Sequence, residues 1–231
     1  MKRHTAARTC GLILTDSLFP GGQTSAENVI SMNIEIIKKP NWISLEQITE
    51  VLHDAHTTTA DNGMHFLAYS QTVEDTRRRL GDDGLFYVAL CDGELAGCAA
   101  VVFHPKSSKW YCTDKEYAEI KMVAVRNQFK GLGINNSLYR ALEEHAFSRC
   151  NLVVMNTAED NRIVVDSNLR HGWKIIDYLS WRYTDYYSVI MGKWKNCPYT
   201  DRYINFRYRF RRLQVRIAKD KNGKYRVPLL K

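Results

Sequence analysis

Little in this 231-residue sequence could pin it, span a lipid bilayer or break it into short pieces. No stretch of ~18 consecutive apolar residues occurs, so no membrane span is encoded. The one early apolar run, Gly11 to Phe19, is interrupted by Asp16 and does not make a secretory leader. Its six cysteines, Cys10, Cys91, Cys98, Cys112, Cys150 and Cys197, contain no C-x-x-C pair. A chain of this length can bury a core without covalent staples, so they read as reduced thiols in a soluble, cytoplasmic protein. With 45% hydrophobic and 25% charged residues, what remains is the composition of one large globular domain, or of one domain with appendages.

The formal net charge of +8 is unevenly placed. From Arg202 to Lys231 there are eleven Lys or Arg and a single acid, Asp220, a local excess of ten; the preceding 201 residues therefore carry a net charge of minus two. In that tail Ile204, Phe206, Tyr208 and Phe210 alternate with Asn205, Arg207, Arg209 and Arg211, a period of two that predicts a strand with one buried and one basic face. Such a face serves as a solvated surface, as an attractor of phosphate groups or another anionic partner, or as a nucleic-acid surface.

Residues 1 to 32 show no sustained periodicity and contain the breaker Pro20-Gly21-Gly22, so they are expected to be a disordered extension, with a folded unit over 33–195 and a basic aromatic extension over 196–231 packing on it. The first strand is predicted at Asn33 to Ile37. Ser44-Leu45-Glu46-Gln47 is a capping-box pattern opening a helix to about Thr58, and Thr72-Val73-Glu74-Asp75 opens a second toward Leu80. Leu85 to Cys91 and Glu94 to His104 flank Asp92-Gly93, the signal of a two-residue hairpin turn. Tyr117 to Val125 reads as a further strand with Glu119, Lys121, Val123 and Val125 on one face. A helix with the stripe Ile134, Leu138, Leu142 and Ala146 follows, then a short buried strand from Leu152 to Thr157. A helix from Asp160 to Arg170 ends at His171-Gly172, and strands at Trp173 to Tyr178 and Tyr183 to Trp194 close the order. The sum is a mixed α/β sheet flanked by helices.

Between a strand and a helix stands Asn127-Gln128-Phe129-Lys130-Gly131-Leu132-Gly133. Amides bared at the positive end of a helix dipole form an anion cradle, and glycine lets the backbone approach a phosphate. The loop lacks the third glycine of a dinucleotide fingerprint and the Gly-Lys-Ser/Thr of a P-loop. The string from Ala118 to Ile134 resembles the acyl-CoA-binding core of the GNAT superfamily of N-acetyltransferases, whose loop pattern [Gln/Arg]-x-x-Gly-x-[Gly/Ala] is met by Gln128, Gly131 and Gly133. A second likeness lies at Asn161, Val164, Asn168, Gly172 and Trp173, against the family's Asn-x-x-Ala-x-x-x-Tyr-x-x-x-Gly-Phe. The resemblance implies a splayed GNAT-like sheet and acetyl-CoA as acyl donor. Its diphosphate would be held by amides from Phe129, Lys130, Gly131, Leu132, Gly133 and Ile134, and its pantetheine arm would meet Val123, Val125 and Asn161.

Acetyl transfer to an amine requires a neutral amine and a proton for the departing thiolate. Glu119, on the strand leading to the loop, is the candidate base; the alternative is an ordinary carboxylate paired with Lys121 or another neighbour. The family's tyrosine acid falls at Asn168, which can donate a hydrogen bond but cannot act as an acid. Tyr178 or Tyr183 would have to substitute, or solvent would protonate the thiolate. His53 and His56 share a helix face, yet no third ligand completes a metal site, and an exposed pair is expected. The acceptor is expected to be a small-molecule primary amine, with the basic tail favouring an anionic one such as a nucleotide-linked amino sugar. A protein amine or, with no catalysis, an acyl-CoA- or nucleic-acid-binding role for the tail are the alternatives.

Overall fold

The computed structural model describes residues 32–61, 66–106, 113, 115–182 and 184–224. Residues 1–31 of the expected extension 1–32, Tyr183 and residues 225–231 lie outside the described residues. The elements run β1 (Ile34–Lys38), α1 (Leu45–Asp61), α2 (Leu67–Ser70), α3 (Val73–Leu80), β2 (Leu85–Cys91), β3 (Glu94–His104), β4 (Tyr117–Val125) and a 3-10 turn (Asn127–Phe129). There follow α4 (Ile134–Phe147), β5 (Leu152–Ala158), α5 (Arg162–Arg170), β6 (Lys174–Ser180), β7 (Tyr187–Trp194) and α6 (Asp201–Ala218). Both capping boxes form: Ser44 and Gln47 exchange bonds at 2.8 and 3.3 Å, and Thr72 and Asp75 at 3.0 and 3.1 Å. Asp92 and Gly93 take φ of 49° and 85°, the left-handed pair that a type I′ hairpin turn demands.

One seven-stranded sheet holds the order β1-β2-β3-β4-β5-β7-β6, with β4 and β5 the parallel pair and every other neighbour antiparallel. On one face α4 brings Ile134, Leu138 and Leu142 against Val101, Ile120 and Val153. On the other, α1 brings Ile48, Val51 and Leu52 against Phe86, Val88 and Ala124. Each of the buried Ile, Leu, Val and Phe side chains among these contributes about 2 kcal/mol of transfer free energy. Among the described residues, no helix is long and apolar enough to cross a membrane, and Cys91, Cys98, Cys150 and Cys197 are free thiols.

The basic tail is where the structure departs most from the sequence reading. Residues 201–218 form a helix, not a strand. Thr200 caps it by accepting from Tyr203 N at 3.3 Å. The apparent alternation arises because two helical stripes interleave. Ile204, Tyr208, Arg211 and Val215 face the domain, while Tyr203, Phe206, Phe210, Leu213 and Ile217 are exposed beside them. Over eight residues two such stripes mimic a period of two, and arginine favours a helix. The helix runs along the edge strand β6. Arg211 pairs with Asp177 at 3.3 Å, and Arg212 and Arg216 clasp the Glu159 carboxylate at 2.8 and 2.7 Å.

Candidate active site

β4 and β5 are in register only at Ala118↔Val153 and Glu119↔Val154, after which both strands continue without pairing to each other. The sheet is split there, and a cavity of about 460 Å³ occupies the gap. It is walled by β4 from Glu119 to Val123 and by β5 from Met155 to Ala158, with Asn135 and Tyr139 of α4 and Asn161 and Val164 of α5 at one end. His56, Phe66, Arg79, Trp181, Thr184 and Tyr186 enclose the other end.

A bulge in β4 shapes this wall. Lys121 pairs with Ala100 and Ala124 with Cys98, so Met122 and Val123 together oppose Ala99, and Met122 takes a left-handed φ of 53°. The extra residue reverses the alternation of faces. Val123 and Val125 pack with Ala118 and Ile120, whereas Met122 and Ala124 pack with α1. Glu119 and Lys121 therefore share the α1 and α3 side, where Lys121 Nζ reaches Arg79 O at 3.4 Å. The expectation that Glu119 shares a face with Val123 and Val125 is corrected by this one inserted residue. Val123 lines the cavity; Val125, paired with Gly97, does not.

The glycine loop opens where β4 ends. Gly131 and Gly133 take φ of 88° and 75°, which residues with a Cβ rarely adopt, and Gly133 is the residue before the first turn of α4. The Phe129 and Lys130 amides are already used by Arg126 O and Asn127 O at 3.0 and 3.3 Å, which removes them from the expected cradle. Those of Gly131, Leu132 and Gly133 have no intrachain partner, and with the first-turn amide of Ile134 they are the loop's amides available to an anion. The loop is anchored on α1. Asn127 N and Nδ2 donate to Asp54 at 2.9 and 2.7 Å, and Lys130 Nζ donates to Ala55 O at 3.0 Å. The Gln128 side chain points to the hairpin, donating to Glu94 Oε1 at 2.8 Å. Asn161 stands before α5 and donates to Thr157 Oγ1 at 3.2 Å on the cavity wall.

Glu119 lines the cavity but differs from a poised base. His104 Nε2 and Lys121 Nζ each lie 2.9 Å from its Oε2. Burial alone would raise its pKa, but the His104 hydrogen bond and the Lys121 charge outweigh that and hold it at about 2. A carboxylate so weakly basic does not take a proton from an alkylammonium efficiently. His56 is half-buried in the cavity wall, not exposed as expected, and burial together with Lys130 and Arg79 lowers its pKa to about 4. It is neutral near pH 7. His53 Nε2 instead bonds Gln71 O at 2.8 Å, and among the described residues no cluster of three metal-ligating side chains occurs.

Of the expected substitutes for the family's tyrosine, Tyr183 is outside the described residues, and Tyr178 lies away from the cavity, donating to Glu159 Oε2 at 2.6 Å. A tyrosine the sequence reading passed over does stand in the cavity wall. Tyr139, one position beyond the apolar stripe of α4, lines the cavity, and the Asn168 amide is close enough to its hydroxyl to favour the ionised form. Burial raises the Tyr139 pKa and the Asn168 amide pulls it part of the way back. A tyrosine on the buried side of a helix needs a polar partner, and that was the available signal. Asn168 itself is buried, touches Met155 Sδ at 3.9 Å and does not line the cavity.

Residues 45–172 match the acetyltransferase (GNAT) family. No curated protein matches the chain. Solved structures similar to it include the ribosomal-protein-S18-alanine N-acetyltransferase of Escherichia coli, at TM-score 0.56 and 12% identity over 73% of this chain and 97% of that one. An acetyltransferase of the GNAT family from Streptococcus agalactiae gives 0.55 and 19% identity over 71% and 97%. A Salmonella typhimurium protein described as an acetyltransferase, solved with its cofactor acetyl-CoA, gives 0.54 and 16% over 73% and 97%. At these identities the likeness is one of fold.

Proposed function

Because the chain belongs to the GNAT family and is an acetyl-CoA-dependent N-acetyltransferase, we propose that its acceptor is a small primary amine bearing a carboxylate or phosphate, and that Tyr139 is the acid that completes the transfer. The observation that carries this reading is the far end of the cavity. Arg79 and Lys121 face it against one acid, Glu119, and the Phe66 and Tyr186 rings meet edge-on at 5.5 Å between its two walls. An excess of cation favours an anionic acceptor, and the aromatic bridge leaves a confined end better suited to a small molecule than to an extended polypeptide.

The residues fit acetyl-CoA. The amides of Gly131 to Ile134 and the dipole of α4 suit a diphosphate, and the split between β4 and β5 gives an extended arm a route past Val123 and Asn161. The cosubstrate supplies an activated thioester. In the transfer a C–N bond forms, the C–S bond breaks, the amine loses a proton and the sulfur gains one. An alkylammonium titrates near ~10.4 in water, so the acceptor must shed its proton before attack. Arg79 and Lys121 disfavour its cationic form, Glu119 draws it in as a fixed negative charge, and solvent receives the proton. At the sulfur end the Tyr139 hydroxyl donates its hydrogen, while the nearby Asn168 amide, which favours the ionised form, steadies the charge left on the oxygen. Asn168 is thus a positioning residue.

A thiol-release assay over paired amines, with and without an anionic group, tests the acceptor class. Anionic members should show kcat/KM about tenfold higher, the scale of one charge-assisted contact, and Arg79→Met should erase the difference. Equal turnover of neutral amines, or turnover confined to polypeptide amines, would exclude this class.

A further inference from the structure

The outer face of α6 presents a helix-docking seam. Tyr203, Phe206, Phe210, Leu213 and Ile217 are spaced 3, 4, 3 and 4 residues apart, the a/d pattern of a two-stranded coiled coil. All five are exposed, from 45% at Tyr203 to 64% at Phe206. They form one continuous ridge of about 21 Å at the helical rise of ~1.5 Å per residue. Apolar side chains in such number on one exposed stripe are uncommon on a surface without a partner. Yet the helix is not free to turn them inward. Ile204 and Val215 are buried on the domain side, and Arg212 and Arg216 hold Glu159.

We propose that this ridge docks an amphipathic helix of a partner protein whose flanking positions are acidic. The charges beside the ridge select that occupant. Arg202, Arg207 and Arg209, at positions flanking the seam, are exposed; the further flanking residue Arg216 is held by Glu159, and no acidic residue of α6 stands at a flanking position, Asp201 at the start of the helix being paired with Lys174. Glutamates or aspartates at the matching positions of a second helix would meet these arginines, the arrangement that sets partner choice in coiled coils. A second copy of α6 would set arginine against arginine. The undescribed ends of the chain have the wrong sign too: residues 1–31 carry Lys2, Arg3 and Arg8 against Asp16 and Glu27, and 225–231 carry Arg226 and Lys231 with no acid. A lipid surface suits the seam less well. Interfacial helices sink a broad apolar face, whereas here the ridge is narrow and the opposite side of α6 is committed to the sheet edge.

The test uses the full chain and two labelled synthetic helical peptides with leucine at a and d, one with glutamate and one with lysine at the flanking positions. Fluorescence anisotropy should show saturable binding of the acidic peptide, weakening at least tenfold between 50 and 500 mM salt, roughly the sensitivity of several exposed ion pairs. F206S/F210S should weaken it at least tenfold while leaving acetyl-CoA binding unchanged, which also shows that the variant folds. Any of four results would overturn the proposal: no binding of the acidic peptide, equal binding of the lysine peptide, sedimentation with phosphatidylserine vesicles in place of peptide binding, or a homodimer by light scattering that F206S/F210S splits.

Discussion

The proposed donor and acceptor sites are built from different material. The donor site is backbone: amides bared by Gly131 and Gly133, beyond the cavity lining, and a bulge at Met122 in its wall, all within a dozen consecutive residues. The acceptor end is side chains, with His56, Phe66, Arg79, Glu119, Trp181 and Tyr186 arriving from widely separated parts of the chain. A site made of main chain can accept one shared chemical group with little dependence on neighbouring side chains. A site made of side chains can be changed one residue at a time, which is how a common donor comes to serve different acceptors.

That contrast can be sharpened by substitution, taking the largest effects first. Glu119 couples the acceptor end to stability. Its pKa near 2 in the folded chain lies below the ordinary 4.5, so its contribution is whole above pH 4.5 and is lost as pH falls through 2. The difference amounts to about 3 kcal/mol. Urea unfolding at pH 7 and pH 3 should show this loss in part, and Glu119→Gln should lower stability at pH 7 and flatten the dependence; an unchanged midpoint would detach Glu119 from its partners. At the donor end, Gly133→Val meets no atom within 4 Å of the added Cβ. It nonetheless forces a β-branched residue to positive φ, a strain of about 1–3 kcal/mol. Acetyl-CoA affinity by calorimetry should fall about tenfold or more with helix content retained. Where α4 and α5 meet the cavity, Tyr139→Phe should reduce kcat on the order of tenfold or more without moving acetyl-CoA affinity, the signature of a proton donor and not of a binding contact. The smallest effect belongs to Gln128→Ala. Its side chain serves an exposed bond to Glu94, so acetyl-CoA affinity should stay within about twofold.

Legibility in the sequence follows the same division. The strand and helix order and the glycine loop are readable because capping boxes, the Asp92-Gly93 turn and Gly131-x-Gly133 act over a few residues. The bulge at Met122 is not: a single residue beyond strict alternation leaves no mark in composition, yet it moves Glu119 to the opposite face from Val125. Tyr139 was hidden because a tyrosine beside a helical apolar stripe reads as core until a cavity is seen against it. Residues 204–211 misled because eight positions are too few to separate a period of two from two stripes of 3.6. The acceptor end depends on contacts between remote segments, such as the Phe66–Tyr186 pair, that no local pattern announces.

One helix ties these ends together. Asp54 and Ala55 hold Asn127 and Lys130, and the very next residue, His56, faces the acceptor space. The glycine loop proposed to hold the diphosphate and one wall residue of the proposed acceptor space therefore hang from a single turn of α1. A tilt of that turn moves both, so part of the spacing between the two substrates is set by one stiff rod.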